Sequence, residues 1–371
     1  MTEIDELEMG AGNAVGVAEA DGIALTEPKP KRRVRYSGRN PRTFHGKYKE
    51  LNPERYEADV RKIVESGKTP AGTHRAIMVA EVLEVLAPMA GHVAVDCTLG
   101  FGGHARAILE RIRPGGRLIG LDVDPIELPR TEARLRAAGF GADTFVARRS
   151  NFAGLPQVLS NEGLTGADVI LADLGVSSMQ LDNPDRGFTY KEPGPLDMRM
   201  NPMRGEPASR LLAHLSDEKL VRLLEENADE PDAGIIARAL KAQPIDTTED
   251  LARSVRAGIV AERPDASDAE VEQATRRTCQ ALRIAVNDEF SALDTFLRHL
   301  PLCLAPGGRV VVLTFHSGED RRVKKAFQAG HREGMYAAVA DVVVRPSAEE
   351  MRANPRAGSA KLRWALKGVP L

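Results

Sequence analysis

Short apolar runs alternate with longer amphipathic segments between residues 77 and 183. Helical spacing at residues 77–86 precedes runs rich in β-branched residues at 93–95, 117–122, 144–150 and 167–173. Residues 126–139, which lie between two of these runs, again have helical spacing. Strands that alternate with helices in this way predict a sheet of parallel strands covered by helices.

The pattern breaks after Gln180. Residues 181–207 are dense in Pro and Gly and have no period, and helical spacing then dominates to about residue 300. Ser216 and the pair of Thr247 and Asp250 are typical helix starts, and another helix is predicted at about 268–285. Sheet-type sequence returns at 306–317, with short last strands expected at 341–347 and 360–366. We therefore predict an α/β fold that carries an inserted helical domain.

Residues 1–70 differ from the rest of the chain. The segment is acidic through Glu27, becomes strongly basic afterwards, and has neither helical nor strand periodicity. We predict a disordered extension with a basic arm. This arm is either a solvated tail or an RNA-contacting segment in which Tyr36, Phe44 and Tyr48 lie among the positive charges.

Composition narrows the class of protein without identifying it. The chain of 371 residues is 42% hydrophobic and 28% charged, with a net charge of −2, which is typical of a globular protein and argues against wholesale electrostatic binding of nucleic acid. Its three cysteines are scattered and have no metal-ligand spacing, so we expect no metal. Neither a signal peptide nor a membrane-spanning run is evident, and we expect a cytoplasmic protein without a membrane partner.

The first predicted strand runs into a glycine-rich turn. Gly100, Gly102 and Gly103 follow Asp96, and a good helix start comes next. A strand, a glycine turn and a helix together present backbone N–H groups and a helix N-terminus to a cofactor. The motif is weak alone, since glycine turns also join strands to helices where nothing binds.

Three further residues strengthen the prediction of an adenosine cofactor. Asp122 ends the second strand about twenty residues on, where an acidic side chain binds ribose hydroxyls. Phe152 follows the third strand and could cover the adenine, although a core Phe is equally ordinary. Asp173 ends the fourth strand in the ligand crevice. Two cofactors fit this pattern, NAD and S-adenosylmethionine. We favour the second because no hydride-handling His or Tyr is evident.

These residues also carry a resemblance to the ribosomal small subunit methyltransferase H family, also called the MraW family. The matching stretches, in order from about residue 71 to 371, are DCTLGFGGHA (96–105), GLDVDP (120–125), LADLGVSSMQLDNPDRGF (171–188), GPLDMRM (194–200), QALRIAVNDE (280–289), APGGR (305–309), HSGEDR (316–321) and NPRAGSAKLR (354–363). The resemblance implies an S-adenosylmethionine-dependent enzyme that methylates the exocyclic N4 of a cytidine in 16S rRNA of the small ribosomal subunit.

The resemblance further implies a domain organisation and a set of contacts. A Rossmann-like class I methyltransferase sheet would occupy residues 71–183 and 286–371, with an all-helical substrate-recognition domain at 184–285. The implied cofactor contacts are Gly102, Gly103, His104, Asp122, Phe152, Asp173 and Gln180. The expected partner is 16S rRNA, and a homodimer is one assembly to consider.

Two roles are our own hypotheses. Asp173, or the backbone carbonyl beside it, would accept a hydrogen of the cytosine amino group, which makes it the predicted catalytic residue. Contacts with RNA are predicted for five arginines, Arg186, Arg199, Arg276, Arg277 and Arg283. An NAD-dependent oxidoreductase and a catalytically silent RNA-binding protein remain the alternatives.

Overall fold

The computed structural model describes residues 76–369. Seven strands form one sheet in the order β3-β2-β1-β4-β5-β7-β6, in which β1 to β5 are parallel and β7 is antiparallel to both of its neighbours. The strands are β1 (Val93–Asp96), β2 (Arg117–Asp122), β3 (Phe145–Arg149), β4 (Ala167–Asp173), β5 (Leu304–Thr314), β6 (Tyr336–Val339) and β7 (Lys361–Lys367). This arrangement confirms the predicted Rossmann-like class I methyltransferase sheet.

Helices cover both faces of the sheet, and side chains of β5 alternate between the two layers. Val310 and Val312 pack in one layer, and Val311 and Leu313 pack in the other. The first layer lies under α4 (Leu155–Asn161), α11 (Glu289–Cys303) and α12 (Ser317–Arg332); the second lies under α1 (Val79–Leu86), α2 (Gly103–Ile112) and α3 (Glu127–Ala137). Burial on both faces explains why the strands read as nearly continuous apolar runs.

A third hydrophobic cluster joins helices that follow the sheet strand β4. After the short α5 (Ser178–Asp182), these helices are α6 (Ala208–His214), α7 (Asp217–Ala228), α8 (Ala233–Lys241), α9 (Thr248–Glu262) and α10 (Asp268–Asn287). The predicted helix starts are confirmed: the Ser216 side chain accepts a hydrogen bond from the Lys219 N–H, and Thr247 and Asp250 form a capping box. The helical character of this stretch is therefore confirmed, whereas the domain boundaries 184–285 stay a prediction.

One predicted strand is wrong. Residues 341–347 contribute a single bridge, between Val344 and Leu362, and the edge strand of the sheet is β6 instead. Pro346 lacks the N–H that a ladder needs, and the Val342 side chain is 78% exposed. A last short helix, α13 (Ala348–Ala353), follows this segment.

Two sequence-based expectations concern other parts of the chain. The predicted disordered extension with its basic arm, at residues 1–70, lies outside the described residues. Within residues 76–369, no helix combines the length and the apolar character that crossing a membrane requires.

Candidate active site

Four carboxyl groups gather at the carboxyl edge of the sheet. Asp96, Asp122 and Asp173 end β1, β2 and β4, and Glu319 lies in the first turn of α12, just beyond β5. Asp96 and Glu319 are only 1% and 3% exposed. The strand order reverses between β1 and β4, and ligands of open α/β sheets bind at this kind of switch point.

The glycine turn between β1 and α2 is tied to the end of β2. One oxygen of Asp122 accepts a hydrogen bond from the Gly100 N–H at 2.9 Å, and the other accepts from the Asp124 N–H at 2.9 Å. Gly102 caps α2 with a φ of 82°, a left-handed conformation that suits glycine. Asp122 therefore holds the turn, a role that the sequence did not indicate.

We expect Gly102→Ala to lower the free energy of unfolding by about 2–3 kcal/mol, because the left-handed backbone costs a residue with a Cβ about 1–2 kcal/mol and the new Cβ would also meet the Thr131 Cγ2 at 2.9 Å. Gly91→Ala is the matched control, since Gly91 has a φ of 85° and open space around its Cβ position. Chemical denaturation measures both variants. Equal losses would show that the contact with Thr131 contributes nothing.

Asp173 has one oxygen without a partner among the described residues. Its buried Oδ1 makes no hydrogen bond, and its Oδ2 lies 3.6 Å from the His104 Nδ1. The other ring nitrogen of His104 lies 2.9 Å from the Ile77 carbonyl oxygen. The Thr98 hydroxyl oxygen accepts the Asp173 N–H at 2.7 Å, which fixes the backbone of the strand end. A buried polar atom left unpaired is costly, so the Asp173 Oδ1 is a candidate contact for a ligand.

Burial raises the pKa of three of these carboxyl groups. It raises the pKa of Asp96 and of Asp122 to about 6, and that of Asp173 to about 7, where the charge of Glu319 adds to the effect. Burial also lowers the pKa of His104, so this imidazole does not supply a compensating positive charge. A bound cation would supply that charge, and S-adenosylmethionine, with an ammonium and a sulfonium group, fits this donor set.

A second, buried network lies beside the glycine turn. The Asp124 Oδ2 accepts hydrogen bonds from the Gln180 side-chain amide and from the Arg186 guanidinium, both at 2.8 Å. The same guanidinium donates to the backbone carbonyls of Arg199 and Met200 at 3.1 and 2.9 Å. Gln180, one of the implied cofactor contacts, therefore shares its carboxylate partner with a residue of the long loop that follows it.

The arginines predicted to contact RNA fall into two groups. Arg186 is 9% exposed and bound to Asp124, and Arg283 forms a two-point pair with Glu289 at 2.8 and 2.9 Å. Acceptors within the protein occupy both guanidinium groups, which corrects the prediction for these two positions. Arg199 pairs with Asp197 and remains partly exposed; Arg276 is exposed, and Arg277 is partly exposed.

Other predicted positions lie near the same edge of the sheet. The Phe152 ring is partly exposed and contacts the Phe296 ring edge-on, with centroids 5.4 Å apart, so the predicted adenine contact stays a prediction. Gly103 packs closely on Ala76, with 2.9 Å between the position of a Cβ and the Ala76 Cβ. No group of His, Cys, Asp or Glu that could hold a metal ion is found within residues 76–369.

Sequence reasoning missed Glu319 and Asp124 as members of the site. An acidic residue in the first turn of a helix is usually explained by the helix dipole, and the partners of Asp124 lie 56 and 62 residues away in the chain. The one sequence signal for Asp124 was its place as the second acidic residue of the stretch GLDVDP.

Comparisons with known proteins agree with this geometry. Residues 71–368 match the model of the MraW methylase family. The chain is 47% identical to ribosomal RNA small subunit methyltransferase H 2 of Alkaliphilus metalliredigens, over 92% of this chain and 99% of that protein. It is also 47% identical to ribosomal RNA small subunit methyltransferase H 1 of Lachnoclostridium phytofermentans, over 92% of this chain and 94% of that protein. A third relative, ribosomal RNA small subunit methyltransferase H 2 of Acholeplasma laidlawii, is 46% identical over 93% of this chain and 100% of that protein. With this sheet and with matches of this length, the chain belongs to the MraW methylase family.

Proposed function

We propose that this protein transfers a methyl group from S-adenosylmethionine to the exocyclic N4 of a cytidine in 16S rRNA of the small ribosomal subunit. Membership of the family and the names of the relatives support the methyl transfer and the ribosomal RNA. The observation that carries the proposal is the unpaired Asp173 Oδ1 at the strand switch point, within a cluster of carboxyl groups that favours a cation.

The residues that would hold the cofactor are those around the glycine turn. Backbone N–H groups of Gly102 and Gly103 and the side chains of His104, Asp122, Phe152, Asp173 and Gln180 are the proposed contacts. S-adenosylmethionine supplies a methyl group on a positively charged sulfur. The buried carboxyl groups favour that charge because the His104 side chain, whose pKa burial lowers, does not compensate their own negative charge.

Asp173 is the proposed hydrogen-bond acceptor for the cytosine amino group. The lone pair of this nitrogen is delocalised into the ring, so the protein contributes mainly by holding the nitrogen at an attack distance of about 3 Å. An N–H that donates to Asp173 Oδ1 would fix the nitrogen at the strand end. Acid–base assistance of this kind typically contributes about 10²–10⁴ to a rate.

Recognition of the RNA is proposed for the helical stretch. The domain boundaries 184–285 agree with the separate hydrophobic cluster of α6 to α10, and Arg199, Arg276 and Arg277 are its proposed phosphate contacts. A cytosine in structured RNA has to be unstacked before it reaches a crevice of this kind.

We expect the affinity for S-adenosylmethionine to fall at least about tenfold between pH 8 and pH 6. The sign follows from the raised pKa values of Asp96, Asp122 and Asp173: protons bind these carboxyl groups as the pH falls through about 7 and about 6, and the cation requires the ionised forms. Calorimetry across this pH range measures the effect. S-adenosylhomocysteine, which lacks the sulfonium charge, should show a shallower dependence, and parallel curves for the two ligands would contradict the prediction.

Labelled methyl transfer tests the proposed function. Small ribosomal subunits that lack the modification are incubated with the protein and with S-adenosylmethionine carrying a labelled methyl group, and the modified base is then mapped. Label on N4 of one cytidine is expected. Absence of label, with subunit binding retained, would favour the RNA-binding alternative, and calorimetric binding of NADH would favour the oxidoreductase.

The cytoplasmic location and a homodimer are the remaining proposals. Cell fractionation tests the first, and sedimentation of the purified protein at two concentrations tests the second.

A further inference from the structure

The exposed side of α12 carries a run of positive charge that none of the roles described so far uses. Residues 321–332 hold five lysines and arginines and no Asp or Glu, in a chain whose net charge is −2. The exposed members of this run share one side of the helix, at spacings of three, four and seven residues. We call them the α12 cationic face: Arg321, Lys324, Lys325 and Arg332.

Most of this charge has no partner in the part of the chain that the structure describes. There, Lys324, Lys325 and Arg332 form neither an ion pair nor a side-chain hydrogen bond. Arg321 is the exception, because its guanidinium pairs with the Asp229 carboxylate at 3.0 Å, and both of these side chains are 51% exposed. Three of the four cations are therefore available to an external anion.

The positions of these cations within α12 do not serve helix stability. Asp320 lies one turn before Lys324, but Arg363 and Lys361 already pair with its carboxylate at 2.6 and 3.6 Å. Arg321 and Lys325 have the same charge and are four residues apart, a placement that destabilises a helix. A side that served stability alone would carry an acid at one of these positions.

An exposed arginine of α2 shows the stabilising arrangement in the same chain. Arg106 pairs with Glu110, four residues further on, at 3.0 Å. The helix dipole attracts cations to the last turn of a helix, which accounts for Arg332. It does not account for Lys324 and Lys325, which lie in the middle of α12. These two lysines are the part of the α12 cationic face that structure alone leaves unexplained.

The α12 cationic face begins at the edge of the sheet that holds the candidate active site. Asp173 ends β4, the neighbouring β5 ends at Thr314, and α12 begins three residues later at Ser317. A rise of 1.5 Å per residue places Lys325 about 12 Å and Arg332 about 22 Å along the helix from Ser317. The face therefore leads away from the crevice over the outer surface of this layer.

We propose that the α12 cationic face binds phosphates of the 16S rRNA on one side of the methylated nucleotide. The inference rests on the proposed function and adds a contact surface outside residues 184–285. A base that is unstacked into the crevice stays attached to its strand on both sides, so phosphates continue beyond the crevice edge. Lysines bind phosphates as point charges and carry no sequence information. The face supplies affinity and orientation, and it leaves the choice of base to the crevice.

Binding to small ribosomal subunits at several salt concentrations tests the inference. Each cation that neutralises a phosphate adds close to one unit to the slope of log affinity against log salt. Between about 50 and 200 mM salt, the affinity of the double variant Lys324→Ala/Lys325→Ala should therefore fall about tenfold less than that of the wild type. Lys324→Arg/Lys325→Arg keeps both charges and should follow the wild-type curve. Neither double variant should change the affinity for S-adenosylmethionine, measured by calorimetry.

Arg111→Ala/Arg352→Ala is the matched control. Both arginines are exposed and have no ion pair among residues 76–369, and they lie on α2 and α13. These helices belong to the other layer of the sheet, since α2 packs there and α13 binds Met78 of the same layer. An unchanged slope in the lysine-to-alanine variant, or an equal change of slope in this control, overturns the inference. Loss of cofactor affinity in the lysine-to-alanine variant would also overturn it, because it would indicate a structural role.

Photo-cross-linking separates rRNA from a ribosomal protein as the partner. Gln328 is exposed between Lys325 and Arg332 on the same side of α12, so a photoreactive amino acid in its place should cross-link to 16S rRNA. Cross-links to a ribosomal protein alone overturn the inference. A wild-type protein that binds subunits but places no label on cytidine N4 would contradict the proposed function, whereas the salt slopes decide the role of the α12 cationic face.

Discussion

Replacing Asp122 with alanine is expected to weaken the binding of S-adenosylmethionine at least about 100-fold, or about 2.7 kcal/mol. Two losses add together. The substitution removes the carboxylate proposed to bind the ribose hydroxyls, and it frees the Gly100 and Asp124 N–H groups that now hold the glycine turn. Calorimetry measures the affinity, and chemical denaturation should show a loss of about 1–3 kcal/mol in the free energy of unfolding.

Asp168→Ala is the matched control for this substitution. Asp168 also accepts a backbone hydrogen bond, from the Val93 N–H at 2.8 Å, but it lies at the start of β4, at the edge of the sheet away from the site. This variant should lose stability without losing cofactor affinity. If Asp122→Ala binds the cofactor as the wild type does, Asp122 is not a ribose contact and the cofactor assignment fails.

Replacing Arg186 with methionine is expected to lower the free energy of unfolding by about 3–5 kcal/mol, because it leaves a buried carboxylate without its cation. Asp124 is 1% exposed, and the guanidinium also binds the carbonyls of Arg199 and Met200. Arg186→Lys keeps the charge but cannot reach all three acceptors, so its loss should be smaller. In Arg186→Met, the rate of methyl transfer should fall by more than the loss of folded protein explains, because the loop after Gln180 loses its anchor.

Arg256→Met provides the comparison for a surface pair. Arg256 pairs with Asp268 at 2.7 Å, but both side chains are more than half exposed, at 56% and 88%. Exposed pairs contribute roughly 0–1 kcal/mol, so this variant should unfold nearly as the wild type does. Denaturation curves that coincide for Arg186→Met and Arg256→Met would show that the buried network does not stabilise the fold.

The sequence predicted the parallel strands well for a physical reason. Each is buried on both faces and carries an apolar run that needs no knowledge of its neighbours. The edge strand β6 was missed because Tyr336–Val339 has a weaker apolar pattern than residues 341–347, and pairing with β7 decided between them. Helix starts at Ser216 and Thr247 were predicted because capping depends on residues only three positions apart.

From the sequence, only the site residues that lie at the ends of predicted strands could be found. Asp122 and Asp173 were found because each ends a strand, and parallel strands end at one edge. Arg186 was misinterpreted because its partner Asp124 is distant in the chain, and an arginine in a polar loop looks solvated.

The buried ion pair between Asp124 and Arg186 limits how enzymes of this family can be re-engineered. It joins the connection after β2 to the segment after β4, and Gln180 shares the same carboxylate. A chimera that received residues 184–285 of another methyltransferase would need an arginine at the position of Arg186, or would leave the buried Asp124 carboxyl group without this partner. The sheet and the helical stretch are therefore not interchangeable modules. A graft of the helical stretch should begin before Gln180 rather than after the loop that follows this residue.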